Sequence, residues 1–159
     1  MSDEEAFYHH NTMENQVEQR DIIGCCIRED SRCWYVKSQK GRYTSPGSKN
    51  QTCFGYQLAA RKKYGNQAIR AHKQSMRDMM ISHLCGAPGS RCVNPDHLVI
   101  EEKKVNDERV HCHFFMNKIM KQWKNPTAKK HFVTNIKILL NDFVDKYCPH
   151  EPKCGSVSK

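Results

Sequence analysis

No stretch of this 159-residue chain approaches the ~18 consecutive apolar residues of a membrane-spanning helix, which excludes a span of that kind. The first residues, MSDEEAFYHHNTMENQVEQR, lack the basic start and apolar stretch of a secretory leader, so an intracellular protein is expected, nuclear if the source is a eukaryote. Aromatic residues are only 9% and apolar residues 38% of the chain, and the mean hydropathy is -0.81. The core must therefore be small for the length, and a covalent or metal staple would help to hold it. Acidic residues are also scarce: 17 Asp and Glu face 26 Lys and Arg, a formal net charge of +9. That balance favours an anionic partner, nucleic acid or an acidic membrane surface.

Cysteine is what the chain has in excess, with nine residues alongside nine histidines. In a reducing compartment, cysteines interleaved with histidines read as metal ligands rather than disulfides. The densest stretch is SHLCGAPGSRCVNPDHLVIEEKKVNDERVHC, residues 82–112. Cys85, Cys92 and His97 supply three borderline-soft ligands around a loop in which Gly86, Pro88 and Gly89 permit sharp turns. A closed structural zinc site takes four ligands, and Cys53 is the best upstream candidate for the fourth, with Cys33 the alternative. At the C-terminus Cys148, His150 and Cys154 supply another three, and Cys112 is the natural fourth. Cys25, Cys26 and Cys33 otherwise read as strand-core thiols.

Two members of the stretch remain. His83 offers an imidazole two residues before a ligand cysteine, and Asn106 offers an amide oxygen, a donor suited to a hard ion such as Mg²⁺ at a phosphate.

The flanking sequence reads as α+β within one domain. Residues 1–20 are expected to be a flexible polar arm or a short polar helix. Residues 21–60 read as an antiparallel β-ribbon, with turn signals at Asp30-Ser31 and Lys40-Gly41. Arg28, Arg32, Lys37, Lys40 and Arg42 would give it a basic face suited to a DNA groove, or simply a solvated sheet face. A core of 67–112 opens on a helix over Gln67–Met80, whose apolar positions recur at helical spacing. Residues 113–147 read as a helical hairpin: His113–Lys124, then Pro126–Tyr147 with Asn125 as cap. In the second helix Phe132, Ile136, Leu139, Leu140, Phe143, Val144 and Tyr147 make one apolar stripe for packing. The 148–154 cluster closes the chain.

Taken together, SHLC at 82–85, Cys-x-Asn-Pro-x-His-Leu at 92–98, Asn106 nine residues past His97, Cys112 and the closing Cys-x-His-x3-Cys resemble the His-Cys box homing endonucleases. These are members of the wider ββα-metal (His-Me finger) nuclease group, and the resemblance runs from about Cys53 to Cys154. It implies a small zinc-stapled ββα-metal nuclease fold with an N-terminal β-ribbon for DNA and a C-terminal helical hairpin. It implies one structural zinc on Cys53, Cys85, Cys92 and His97, and a second on Cys112, Cys148, His150 and Cys154. His83 would be the general base, Asn106 the ligand of a catalytic Mg²⁺, and Arg70, or else Arg77, the contact to the scissile phosphate. The activity so implied is site-specific hydrolysis of phosphodiester bonds in double-stranded DNA, with a homodimer as a further partnership the resemblance allows. Two other readings stay open: a non-cutting zinc-stabilised DNA-binding module of the same fold, and a nuclease of low sequence specificity.

Overall fold

A computed structural model describes the backbone of residues 17–20, 33–36, 42–44, 52–74, 78–86, 92–122 and 130–155, and the side chains of residues 33–35, 55–65, 78–86, 92–119, 135 and 138–155. Among the described residues two antiparallel strand pairs precede a helix, and a third pair is followed by two more helices, an α+β arrangement. β1 (Val17–Arg20) pairs with β2 (Cys33–Val36), and β3 (Arg42–Thr44) with β4 (Thr52–Phe54). Chain then runs straight from β4 into α1 (Gly55–Gln74). β5 (Met79–His83) and β6 (Leu98–Glu102) form the third pair, and β6 leads without a loop into α2 (Lys103–Gln122). α3 (Lys130–Tyr147) completes the series.

The segment β5, β6, α2 is a strand, strand, helix unit of the kind the resemblance implies. Its register pairs Ile81 with Ile100 and His83 with Leu98. Successive strand residues point to opposite faces, so Ile81 and His83 leave β5 on one side and Met80 and Ser82 on the other. On the Ile81 side lies the first core, where Leu58, Ala59 and Ala60 of α1 pack on Ile81, Val93 and Leu98, flanked by Trp34, Tyr56, Tyr64 and Ile100. Small alanines let α1 approach the sheet closely. The Tyr64 hydroxyl then donates to the Leu98 carbonyl at 2.8 Å, and Lys63 pairs with Asp96 at 3.5 Å, fixing the helix along the start of β6.

Gly65 interrupts α1 with φ 70° and ψ 173°, a left-handed φ that residues with a Cβ rarely adopt. Space is not the constraint, since nothing lies within 4 Å of where a Cβ would stand. A second core joins the C-terminal helices: Met116 of α2 meets Leu140 and Val144 of α3 beside Cys148 and Cys154, with Cys112 and Ile119 at its edge. No helix among the described residues is long and apolar enough to cross a membrane.

Several elements differ from expectation in extent. Strand β1 occupies residues 17–20, where an arm or polar helix was expected. Helix already begins at Gly55 and takes in the ARKKYG segment; the helix expected from Gln67 is the part of α1 after the Gly65 kink, and it stops at Gln74, Met79 and Met80 belonging to β5. α2 begins at Lys103, ten residues before His113. Asn125 and Pro126 lie outside the described residues. The apolar stripe of α3 is divided: Leu140 and Val144 are buried, while Leu139, Phe143 and Tyr147 are exposed.

Candidate metal centres and nuclease site

The motif Asn94-Pro95-Asp96-His97 folds as one short 3-10 turn for identifiable reasons. Pro95 brings a φ suited to the first helical position, and the Asn94 side chain accepts from the Asp96 backbone N–H at 3.0 Å. The turn ends on His97, whose ring is buried and whose carbonyl accepts from Leu84 N–H at 2.7 Å. His97 Nδ1 thus comes within 3.4 Å of Cys92 Sγ and 3.6 Å of Cys33 Sγ. Cys33, Cys85, Cys92 and His97 form one buried group whose ligand atoms all lie within 4.8 Å of one another.

The fourth member is therefore Cys33, the alternative to Cys53. The reason lies in strand pairing. Tyr35 bridges Cys92, and Val93 N–H donates to the Trp34 carbonyl at 2.9 Å, which lays β2 alongside the loop and turns Cys33 into the cluster. Cys53 stands on β4, and its side chain lies outside the described residues.

Cys112, Cys148, His150 and Cys154 form a second group of the same tightness. His150 Nδ1 lies 3.3 Å from Cys148 Sγ, 3.4 Å from Cys154 Sγ and 3.6 Å from Cys112 Sγ. Tetrahedral zinc, with Zn–S of about 2.3 Å and Zn–N of about 2.0 Å, sets such N···S separations at roughly 3.5 Å. Three sulfurs and one imidazole gathered this closely fit a zinc ion in both groups.

Electrostatics agree with the need for a cation. In the second group burial, then the charge of Cys148, pushes the Cys154 thiol far above its ordinary range, so crowded thiolates require a positive partner. In the first group burial also opposes the charged form, but hydrogen bonds from Cys33, Cys85 and His97 outweigh it and hold Cys92 well below the usual thiol value.

His83 is buried at the end of β5. Its Nε2 stands 3.0 Å from the Cys92 carbonyl oxygen, and the Tyr56 ring meets the imidazole edge-on at 5.2 Å. A carbonyl oxygen can only accept, so Nε2 carries the proton and Nδ1 is the basic nitrogen of the neutral ring. Burial raises the Tyr56 phenol and keeps it neutral. Asn106 sits in the first turns of α2, where its Oδ1 accepts from Ser82 Oγ at 2.7 Å and its Nδ2 donates to Met80 Sδ at 3.8 Å. An amide oxygen has two lone pairs, so one remains for a hard cation. His83 and Asn106 are thus neighbours along β5 through Ser82, but they meet that strand from opposite faces.

Among the other candidates, Arg70 lies in α1 with its side chain outside the described residues. Arg42 belongs to β3 with its backbone alone described. Arg28, Arg32, Lys37, Lys40 and Arg77 lie wholly outside them.

One residue not singled out from the sequence is prominent here. Arg109 is 1% exposed and forks onto Glu101 of β6, with Nε to Oε1 at 2.7 Å and an η nitrogen to Oε2 at 2.8 Å. Burial works against its charge, but the hydrogen bonds and charge of Glu101 hold its pKa above the ordinary value. His113, one turn further on, lies with Nε2 3.0 Å from the Leu84 carbonyl, and burial lowers its pKa to about 4, so it is neutral and donates.

Searches of curated proteins and of solved structures return no match to this chain. The profile of a family described as the zinc-binding loop region of homing endonuclease does match, over residues 23–159, and spans both Cys/His groups and the strand, strand, helix unit. With that match covering most of its length, the chain belongs to the homing-endonuclease zinc-binding loop family.

Proposed function

We propose that this protein is a divalent-metal-dependent endonuclease that hydrolyses phosphodiester bonds in double-stranded DNA at a defined site. The observation that carries the reading is the hydrogen bond from His83 to the Cys92 carbonyl. It fixes the tautomer of a histidine at the end of β5, next to the loop that the first Cys/His group braces, so that Nδ1 is the nitrogen to take a proton from water as general base. Cys92 would then serve twice: its sulfur as a structural ligand and its carbonyl as the orienting acceptor.

Asn106 is the residue to hold a Mg²⁺ ion through its amide oxygen, with Ser82 orienting the amide. When bound, that ion supplies charge neutralisation at the phosphate and at the departing 3′ oxygen. Arg70 is the proposed contact to the scissile phosphate. The basic residues Arg28, Arg32, Lys37, Lys40 and Arg42 are proposed to track the DNA, consistent with a net charge of +9. Zinc in the two Cys/His groups would be structural, since each has a full set of four protein ligands and no open position.

The test is cleavage of a random-insert plasmid library with Mg²⁺, the cut ends being sequenced, for the wild type and His83→Ala. A unique long site for the wild type, and a loss of cutting of about 10²-fold or more in the variant with two zinc ions retained, is the expected result. Scattered cuts would replace site specificity with a general nuclease. Binding without cutting would leave a DNA-binding module.

A further inference from the structure

The second Cys/His group lies at the far end of the chain from His83, yet two hydrogen bonds connect them. Gly155, directly after the ligand Cys154, donates its N–H at 2.6 Å to the carbonyl of Leu84, the residue after His83. His113, directly after the ligand Cys112, reaches the same carbonyl. The end of β5 is therefore held by residues adjoining two ligands of the second group.

Arg109 is what holds that group against the sheet. A guanidinium has five N–H donors in a rigid fork. Two serve Glu101 on β6, and one η nitrogen reaches the loop of the second group, donating to the Pro152 carbonyl at 2.7 Å and to Cys154 Sγ at 3.5 Å. A pair serving stability alone would be complete with Glu101. The further bonds go to a ligand sulfur and to the backbone two residues before it. Three thiolates around a dication carry a net negative charge in a buried place, and a guanidinium beside one of them offsets it. On α2, Arg109 lies three residues after Asn106 and three before Cys112, so one helix carries all three anchor points.

We propose that Arg109 is a positioning residue of the second metal centre: it ties the Cys154 loop to β6 and, through Gly155 and Leu84, sets the His83 end of β5. Its bearing on cleavage rests on the nuclease reading above, whereas its bearing on zinc does not.

Arg109→Met alone would strand the buried Glu101 carboxylate and could unfold the chain, so the informative variant is Arg109→Met with Glu101→Leu. Removing both buried charges together leaves an apolar pair of similar volume, a replacement that proteins commonly tolerate. Zinc is removed from the full chain with a competing chelator while the ring signals of His97 and His150 are followed by NMR, together with amide hydrogen exchange at Gly155 and Leu84. The expected outcome is a folded double variant in which zinc at His150 is weakened about 10- to 100-fold and zinc at His97 is unchanged, with faster exchange at Gly155. In cleavage, kcat falls and KM is held. Unchanged zinc affinity at His150 together with unchanged exchange at Gly155 would overturn the proposal and leave Arg109 a simple ion pair. If the wild type cuts no DNA, the nuclease reading falls, and the zinc and exchange measurements still decide the role of Arg109.

Discussion

At Asn94 one side-chain oxygen decides where a metal ligand points. By accepting from Asp96 N–H it closes the 3-10 turn that ends on His97, and Asn94 is itself buried. Asn94→Ala should cost about 1 kcal/mol in stability, the usual worth of such a cap, and weaken zinc in the first group while sparing the second. Thermal unfolding and zinc titration of the variant check this, and unchanged zinc affinity would mean that the turn holds its shape without the cap. Ligands close together in sequence were legible for this reason: Cys92, Asn94, Pro95 and His97 carry their geometry locally. Cys33 stood only as the alternative to Cys53, because its place depends on the bridge between Tyr35 and Cys92, a pairing far apart in sequence and invisible in the composition of either strand. Arg109 was hidden differently, since a charged residue in an acidic and basic run reads as solvated until its partners Glu101 and Pro152 are brought to it.

At the scale of elements, the sequence shows a helix best where its apolar stripe is continuous. α3 meets that condition, and α2 does not: among its described side chains the buried ones are Arg109 and Met116, with Cys112 and Ile119 half-buried, so Lys103–Val110 lacks an apolar period and the sequence alone starts the helix at His113. Met79 and Met80 satisfied a helical spacing, but their pairing with Glu102 and Glu101 places them in a strand. The stripe of α3, for its part, was read as wider than the face that packs. Leu140 is 4% exposed against Met116 and Val144, whereas Leu139 is 67% exposed. Leu140→Ala should therefore cost about 2–5 kcal/mol and Leu139→Ala less than about 0.5 kcal/mol. Urea unfolding of the pair measures this contrast, and equal losses would place Leu139 in the core as well.

At the scale of the molecule, two small cores stand beside two Cys/His groups among the described residues, and the division of labour follows from which elements each group joins. The first group ties β2 to the loop between β5 and β6, next to the core of Leu58, Ile81 and Leu98. The second ties α2 to the segment after α3, and its Cys148 and Cys154 are themselves part of the core with Met116 and Leu140. Structural zinc supplies about 10–16 kcal/mol of folding free energy in small domains, as much as or more than the ~5–15 kcal/mol net stability of a typical domain. Neither group is then dispensable to the core it adjoins. Metal analysis should find two zinc ions per chain, and full chelation should unfold the protein. Cys112→Ser should leave one zinc, with loss of the 18-residue α3 from the helical circular-dichroism signal and retention of the first core, because β5, β6 and α1 pack without it. Hydrogen exchange resolves the two regions: protection kept at Ile81 and Leu98 but lost at Leu140 and Val144 is the expected pattern. Uniform loss of protection would instead make the two metal groups one cooperative unit, joined through Gly155 and Leu84.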